Sequence, residues 1–294
     1  MIKHYRIRDY DFKLIFFVVA LTIIGIMAIG SAKESVQTRQ IAGFVFGLFL
    51  MFVLSLFDYS VILRFYWLLY IANIVLLILV SEMGETKNNA QRWLNIFGIQ
   101  FQPSETAKIL LILFFAQLIM RHQDKMGKLK FIMACTAMFA VPLWLIYDQP
   151  DLSTSIMVVI LFCVIMFVGG LHWKYIITVL AIAIPAFIIL LSIVLQPDQE
   201  LVKPYQQRRI LAWIDPEEYA DTEAYQQLNS EMAIGSGQLY GKGYKTNEIS
   251  SVKNGNFIAE PQTDFIYAVI GEEFGFVGGC SVIVLLIFIS IECI

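Results

Sequence analysis

Residues Phe12–Ala32 read FKLIFFVVALTIIGIMAIGSA, an almost unbroken apolar run whose only charge is Lys13 near its beginning. A helix of about 20 such residues crosses the roughly 30 Å of hydrocarbon in a bilayer. The run is longer than the roughly 7–15 apolar residues of a signal peptide, and a second run follows closely. It therefore predicts a membrane-spanning helix.

Further apolar runs continue to the end of the chain. They are Ile41–Phe57, Val61–Val80, Thr106–Met120, Phe131–Tyr147, Leu152–Gly170 and Tyr175–Leu195, and a last run starts near Phe265 and is still apolar at Ile294. Thr106–Met120 becomes long enough to span only when its polar flanks are counted. The sequence therefore predicts an all-α, polytopic membrane protein of about eight spans.

The composition agrees with this class of protein. Hydrophobic residues make up 58% of the 294 and charged residues 15%, with a mean hydropathy of +0.70. Soluble domains carry about 25% charged residues, so a disordered chain, a disulfide scaffold and an ordinary soluble enzyme are excluded. The net charge of −3 says little about partners, because its distribution matters more than its sum.

Lysine and arginine concentrate in alternate connections between the runs. With the N-terminus inside, the inner segments hold Lys3, Arg6, Arg8, Lys13, Arg64, Arg121, Lys125, Lys128, Lys130 and Lys174, and the short outer loops hold Lys33, Arg39, Lys87 and Arg92. This bias predicts a cytoplasmic N-terminus and places a long loop, 196–263, outside.

Most of the remaining polar residues fall on the predicted outer side, whereas the three histidines, His4, His122 and His172, fall on the inner side. Chemistry at the outer face must therefore use carboxylates, lysines and arginines. The four cysteines lie in apolar runs without the spacing of a zinc site, so a metal ion would need oxygen ligands.

Several carboxylates stand where helices begin. Glu105 and Lys108 share one face of the fourth helix, where Ser104 would cap the helix and the two charges would pair. This explains Glu105 better than Lys108, because an ammonium in a first turn opposes the helix dipole at the edge of the hydrocarbon. Asp151 and Asp264 open later helices, and for each a capping and a functional role stay equally open.

Glu272 and Glu273 lie about two turns inside the last helix, where charges must face the bundle interior or a wet cavity. An internal ion pair, or a hydrogen bond between helices, is favoured over direct chemistry.

The long outer loop has three features of interest. Arg208 and Arg209 provide guanidinium groups suited to binding phosphate. An amphipathic helix is predicted around Glu223–Ile234. The glycine-rich segment 235–243 is a weak anion-binding signal and fits a hinge or turn at least as well.

A set of motifs in fixed order carries a resemblance to a known family. They are Arg92-Trp93, Gln102-Pro103-Ser104-Glu105-x-x-Lys108, Gln149-Pro150-Asp151-Leu152, Ala233-Ile234-Gly235-Ser236-Gly237, Thr263-Asp264-Phe265-Ile266 and Gly271-Glu272-Glu273-Phe274-Gly275. Together they closely resemble the SEDS family (shape, elongation, division and sporulation), represented by RodA, FtsW and SpoVE. The resemblance covers essentially the whole chain and is closer to RodA than to FtsW.

The resemblance implies a peptidoglycan glycosyltransferase that polymerises lipid II into a nascent glycan strand at the outer face of the bacterial cytoplasmic membrane, for elongation, shape or division. It also implies a class B penicillin-binding protein as partner, and no nucleic acid. Carried over by motif, Asp264 is the family's essential acidic residue. Substrate-binding roles are expected for Glu105, Lys108, Arg92, Asp151, Arg208, Arg209 and Glu260.

Some positions depart from the family pattern. Ser153 and Gln238 stand where the family usually has glycine, and in Ala259-Glu260-Pro261 the proline of the usual Pro-Glu pair is displaced. Every candidate charged group is still in place, so these departures concern the local backbone of two loops.

A phosphate leaving group sets the expected chemistry. A sugar hydroxyl of the acceptor attacks the anomeric carbon of the growing chain, and polyprenyl pyrophosphate departs without an acid catalyst. Asp264 is the candidate base, and partial burial would raise its pKa from about 3.9 toward a useful range. The candidate cations for the pyrophosphate are Arg92, Lys108, Arg208 and Arg209. The sequence leaves open whether Mg²⁺ or Mn²⁺ assists.

Two other functions fit the same polar residues. One is a flippase that moves lipid II across the membrane, and the other is a scaffold that only recruits the cross-linking enzyme. Because the chain ends inside an apolar run, with fewer spans than the family usually has, residues 1–294 are expected to form a single, C-terminally incomplete membrane domain that contains every motif.

Overall fold

The computed structural model describes residues 10–87, 90–96, 99–149, 151–196, 199, 202, 204–246, 251, 255 and 257–294. Contacts divide the chain into two compact units. The first combines the described residues up to Phe57 with those from Ile189 onward, and the second is Asp58–Ile188. The expectation of one integral membrane domain stays a prediction.

Helices account for most of the described residues. In chain order they are α1 (Phe12–Ala32), α2 (Glu34–Ser55), α3 (Tyr59–Arg64), α4 (Tyr66–Met83), α5 (Pro103–Arg121), α6 (Leu129–Asp148), α7 (Leu152–Val168), α8 (Trp173–Val194), α9 (Pro204–Ile214), α10 (Tyr225–Ser236) and α11 (Ile266–Glu292). In the described parts of the chain, seven of these are long and apolar enough to cross a membrane, namely α1, α2, α4, α5, α6, α8 and α11, and α7 is a shorter apolar helix. The predicted polytopic helical architecture is confirmed.

The first predicted span matches α1 at both ends. Asp11 caps the helix, because its carboxylate accepts hydrogen bonds from the amides of Lys13 and Leu14, each at 3.1 Å. Lys33 is extended, with φ of −155°, and this residue alone separates α1 from α2.

The third predicted span begins too early. Val61–Val80 was expected as one helix, whereas the chain breaks at Phe65, with φ of −99° and ψ of 27°, between α3 and α4. Asp58 caps α3 by accepting from the Ser60 amide at 2.9 Å. The short helix α3 is therefore separate from α4, the apolar helix that follows it.

A small antiparallel sheet was not predicted. Its strands are β1 (Glu85–Lys87), β2 (Ala90–Ile96) and β3 (Ile99–Phe101), in that spatial order. Asn95 lies opposite Gln100 and Leu94 opposite Phe101. The central strand β2 carries the Arg92-Trp93 motif, and β3 leads almost directly into α5.

Aromatic packing sets the interior of the second unit. Phe114 on α5 stacks on Tyr70 and Tyr66 of α4, with ring centroids 4.5 and 5.8 Å apart. Phe139 on α6 stacks on Phe162 of α7 at 4.2 Å. These contacts hold α5 against α4 and α6 against α7, and α5 also packs on α7.

In the first unit α11 packs against α1 and α10, and it is broken at Gly275, which has φ of +66°. In an unbroken helix the amides of Phe276 and Val277 would donate to the carbonyls of Glu272 and Glu273. The break separates these two amides from these two carbonyls. The main chain of the loop after α10 provides a new hydrogen-bond partner for each of the four groups.

The replacement is an exchange of hydrogen bonds. The Phe276 and Val277 amides donate to the carbonyls of Gln238 and Leu239, at 2.8 and 3.2 Å. In return, the amides of Lys242 and Gly243 donate to the carbonyls of Glu272 and Glu273, at 2.9 and 3.1 Å. The break therefore leaves none of these four helical groups without a main-chain partner.

Candidate functional site

Asp151 forms the centre of a polar cluster in the second unit. It is buried, and its carboxylate caps α7 by accepting from the Thr154 amide at 3.2 Å. The same carboxylate accepts from the Ser153 hydroxyl at 3.2 Å and the Gln102 amide group at 3.4 Å, and it lies 3.8 Å from the Arg92 guanidinium. The capping role left open by the sequence is thus observed, and Asp151 also orients Arg92.

Arg92 ties the sheet to the end of α6. Its Nε donates to the Gln149 carbonyl at 3.1 Å, and the Gln149 side chain donates to the Leu77 carbonyl of α4 at 3.3 Å. About a third of the Arg92 side chain, 30%, is solvent-exposed. The guanidinium is therefore fixed on one side and accessible on another, a geometry suited to binding an anion.

Glu105 and Lys108 form the predicted pair, with 2.7 Å between the Lys108 ammonium and the Glu105 carboxylate. The predicted Ser104 cap is wrong. Pro103 occupies the first turn, so the helix starts earlier, and its N-cap is Gln102, which makes no side-chain capping bond. Ser104 is instead buried and accepts from the Gln102 side chain at 3.0 Å.

Asp264 lies in the first unit, on the turn that enters α11, and it is exposed. The sequence left a capping role open for Asp264, and the adjacent Thr263 is also a residue type that commonly caps helices. Neither does, because the N-cap is Phe265 and no side chain completes the cap. Asp264 therefore does not have the capping role that the sequence left open, and its exposed carboxylate is accessible to a substrate.

Glu260 shapes this turn through its main chain. Its carbonyl accepts from the amides of Thr263 and Asp264, at 3.1 and 3.3 Å. Its carboxylate accepts a hydrogen bond from Gln262 and lies 3.9 Å from the Lys33 ammonium. The sequence predicted a substrate-binding role for Glu260 and missed Lys33, because no local pattern links residues so far apart.

Arg208 and Arg209 are exposed on α9, a helix that the sequence did not predict. Pro204 at its first position, followed by Ile210, Leu211 and Ile214, is the signal that indicates it. Among the described contacts none joins these arginines to Asp264.

Glu223 is the acidic neighbour of the arginines on α9. Its carboxylate lies 3.8 Å from the Arg208 guanidinium. The Thr222 hydroxyl, together with the charges of Arg208 and Arg209, lowers the pKa of Glu223 below its ordinary value. The positive charge of Arg208 is therefore partly compensated by the Glu223 carboxylate.

The internal ion pair predicted for the last helix is confirmed. The Lys242 ammonium lies 2.8 Å from the Glu272 carboxylate, which is buried, and Glu273 accepts a hydrogen bond from Ser31 of α1. The sequence did not identify Lys242, which it treated only as part of the glycine-rich segment.

The glycines of that segment allow close main-chain packing. A Cβ atom on Gly237 would lie 1.9 Å from the Gly271 carbonyl oxygen, and one on Gly241 would lie 2.2 Å from that of Glu273. Gln238, at a family glycine position, adopts φ of +52°, the left-handed region that favours glycine. The segment is therefore a close-packed turn, as one of the two sequence interpretations held.

The described residues bear on a metal site in one respect. Within the part of the chain that the structure describes, no group of three or more His, Cys, Asp or Glu residues could hold a metal ion. The sequence left open whether Mg²⁺ or Mn²⁺ assists, and this role stays a prediction.

Residues 10–294 match the family model of FtsW, RodA and SpoVE, which is described as cell cycle protein, and the chain belongs to this family. The peptidoglycan glycosyltransferase MrdB of Escherichia coli is 34% identical over 271 residues, which cover 91% of this chain and 70% of MrdB. The probable peptidoglycan glycosyltransferase FtsW of Wigglesworthia glossinidia brevipalpis is 28% identical over 300 residues, covering 98% of this chain and 75% of that protein.

Two solved structures share the fold. A chain from a peptidoglycan synthase complex, whose study concerns the coordination of polymerization and crosslinking, matches with a TM-score of 0.75 and 26% identity, over 97% of this chain and 77% of that one. The rod shape determining protein RodA of Thermus thermophilus matches with a TM-score of 0.63 and 23% identity, over 97% and 74%. The chain is accordingly a multi-pass membrane protein.

Proposed function

We propose that this protein polymerises lipid II into glycan strands, with Asp264 as the base that activates the acceptor. The underlying activity is that of a peptidoglycan glycosyltransferase. The observation that carries it is the 34% identity with MrdB over 91% of the chain. The flippase and the scaffold are not needed to explain these relatives.

The assignment of Asp264 follows from the family motif Thr263-Asp264-Phe265-Ile266, and its exposure and lack of a capping role are compatible with it. The carboxylate takes the proton from the attacking sugar hydroxyl as the oxygen bonds to the anomeric carbon of the growing chain. The bond from that carbon to the pyrophosphate breaks, and the pyrophosphate leaves with the electron pair. Because Asp264 is exposed, the bound substrate is proposed to exclude water around it during the reaction.

Cations in each unit are proposed to bind phosphate. In the first unit these are Arg208 and Arg209, which are exposed on α9. In the second unit Lys108 and Arg92 are each held by a carboxylate, Glu105 and Asp151 respectively. Such pairing fixes each cation in place, which reduces the ordering required when a phosphate binds.

Asp151 and Glu105 are therefore proposed to act through Arg92 and Lys108, and Glu260 through the turn that carries Asp264. A divalent cation, Mg²⁺ or Mn²⁺, is proposed to arrive with the pyrophosphate of the substrate. Loss of polymer on addition of EDTA, reversed by excess Mg²⁺ or Mn²⁺, supports this role, and full activity in EDTA contradicts it.

The proposed location is the bacterial cytoplasmic membrane, with the N-terminus inside and the reaction on the outer face, as the lysine and arginine bias favours. The proposed partner is a class B penicillin-binding protein that cross-links the product. Support for it comes from the synthase complex, which by its description coordinates polymerization with crosslinking.

The test supplies purified lipid II to the protein in detergent, with its partner, and resolves glycan strands on a gel. Strands made by the wild type and lost on Asp264→Asn support the proposal. Asp221→Asn is the matched control, since Asp221 is an exposed aspartate of the long loop that precedes Asp264, and it should leave the strands unchanged. Strands unaffected by Asp264→Asn overturn the assignment of the base.

Two further outcomes address the other functions. Translocation of lipid II in sealed vesicles, without any polymer, would favour the flippase. Normal growth of cells carrying Asp264→Asn, but not of cells carrying a deletion, would favour the scaffold.

A further inference from the structure

Four lysines form an exposed basic patch at one end of the second unit: Lys125, Lys128, Lys130 and Lys174. Among the residues that the structure describes, none of the four makes an ion pair. Asp124 is the only carboxylate in the segment from His122 to Lys130. The patch therefore carries a net positive charge that no ion pair among the described residues neutralises.

Two connections are packed together to form the basic patch. The Tyr175 hydroxyl, in the first turn of α8, donates to the carbonyl of Gly127 in the α5–α6 connection at 3.2 Å. Beside it the buried Met126 belongs to the aromatic core of the unit, against which Leu171 also packs. Lys174 is thus held close to the connection that carries Lys125 and Lys128.

An apolar groove opens beside the basic patch, between α5 and α7. It has a volume of about 340 Å³, and its lining includes Ile119, Met120, Val164 and Val168. The one polar lining residue is Gln123, which begins the short 3₁₀ helix Gln123–Lys125. The groove therefore ends at the turn that contributes a lysine to the patch.

We propose that this groove and the basic patch form a binding site for an anionic glycerophospholipid. The acyl chain lies along α5 and α7, both of which are apolar helices, and the lysines contact the phosphate and the remaining headgroup. Hydrocarbon fits the groove because its lining offers almost no hydrogen-bonding partner. Net negative charge is required because a zwitterionic headgroup would leave the lysine charges uncompensated.

A lipid explains both halves of the site, whereas a free anion explains only the patch. Inorganic phosphate would contact the exposed lysines in water, where such interactions are weak and screened by salt. A lipid adds the burial of hydrocarbon in the groove, which strengthens the headgroup contact by holding it in place. The site does not depend on the catalytic assignment of Asp264.

The test is native mass spectrometry of the full chain in detergent, with equal amounts of phosphatidylglycerol and phosphatidylcholine that carry the same acyl chains. We expect the wild type to retain phosphatidylglycerol at least about fivefold more than phosphatidylcholine. The triple variant Lys125→Gln, Lys128→Gln and Lys174→Gln should lose this preference. Lys13→Gln, which removes an exposed cation from the first unit, should keep it.

A second variant tests the groove. Ala116 lines it and is exposed, so Ala116→Phe should fill the space without disturbing the core, and it should lower retention of both lipids. Equal retention of the two lipids by the wild type overturns the proposal, as does an unchanged preference in the triple variant. Displacement of phosphatidylglycerol by inorganic phosphate would assign the patch to a free anion and also overturn it.

Discussion

The main-chain amide of Asp264 donates a hydrogen bond to the carbonyl oxygen of Glu260 at 3.3 Å. The same oxygen accepts from the amide and the hydroxyl of Thr263, each at 3.1 Å. The Glu260 carboxylate points instead to Gln262 and Lys33. The position of the proposed base is thus set by the main chain of Glu260 rather than by its charge.

The charge of Glu260 is therefore expected to matter less than that of Asp264. Glu260→Gln keeps the carbonyl and should lower kcat by less than about tenfold, with the KM for lipid II unchanged. Asp264→Asn removes the base and should lower kcat by roughly 10²–10⁴. Steady-state polymerisation rates with purified lipid II distinguish the two. A rise in KM at constant kcat for Glu260→Gln would instead place its carboxylate on the substrate.

Close packing after α10 predicts a strong position dependence among neighbouring glycines. Gly237→Ala should lower the free energy of unfolding by about 1–3 kcal/mol, because its Cβ would meet the Gly271 carbonyl at 1.9 Å. Gly235→Ala is the matched control, since nothing lies within 4 Å of its Cβ position and alanine favours the helix. Thermal unfolding in detergent measures both, and equal effects would contradict the packing described.

Substitution of Gln238 by glycine is expected to stabilise the protein, in contrast to the substitution of Gly237. Its φ of +52° strains a side-chain-bearing residue, and its carbonyl, which bonds to Phe276, is unaffected by substitution. Gln238→Gly should therefore raise the free energy of unfolding by about 0.5–1 kcal/mol after the extra entropy cost of glycine. The same unfolding assay applies, and a loss of stability would show that the Gln238 side chain makes a stabilising contact.

The pair of the partly buried Lys242 and the buried Glu272 should show strong coupling. Lys242→Met leaves the Glu272 carboxylate buried without its cation and should cost about 3 kcal/mol of folding free energy. The double variant Lys242→Met, Glu272→Leu should recover most of that loss, because both charges are gone. A double-mutant cycle in detergent measures the coupling. Additive losses would mean that the pair contributes nothing beyond its separate side chains.

Glu223 gives a pH-dependent prediction. Its pKa is lowered from the ordinary 4.5 in the folded protein, so its contribution to stability is present above pH 4.5 and is lost as pH falls through the lowered value. The wild type should unfold at a higher temperature than Glu223→Gln at neutral pH. The difference should vanish in acid, and a difference that grows on acidification would reverse the sign of the shift.

Long apolar runs bounded by polar residues predict the membrane-spanning helices. The bounds of α1 were predicted correctly, because Asp11 supplies a cap at one end and Lys33 ends the run at the other. The break at Phe65 was missed, since a phenylalanine within an apolar run carries no local signal for a change of backbone direction. The sheet was missed because its strands are short and partly polar.

The sequence predicted which charged groups belong to the candidate site, but not which tertiary partners they contact. The motif residues fixed the types of charged group, and the pairing of Glu105 with Lys108 follows from helical spacing alone. The partners of Glu272 and Glu260, namely Lys242 and Lys33, could not be inferred, because each is distant in sequence and is brought near only by tertiary packing.

The exchanged hydrogen bonds at Gly275 carry a consequence for biogenesis. In hydrocarbon an unpaired amide costs several kcal/mol, so the hydrogen bonds between Gln238–Gly243 and α11 would lower the cost of placing this broken helix in a membrane. The segment Gln238–Gly243, here called the strap, precedes α11 in the chain. It is therefore synthesised first, and it can form these hydrogen bonds only after α11 has been made. Insertion of the helix and docking of the strap are therefore expected to be coupled. A lesion in the strap should then be detected as a helix that fails to stay in the membrane.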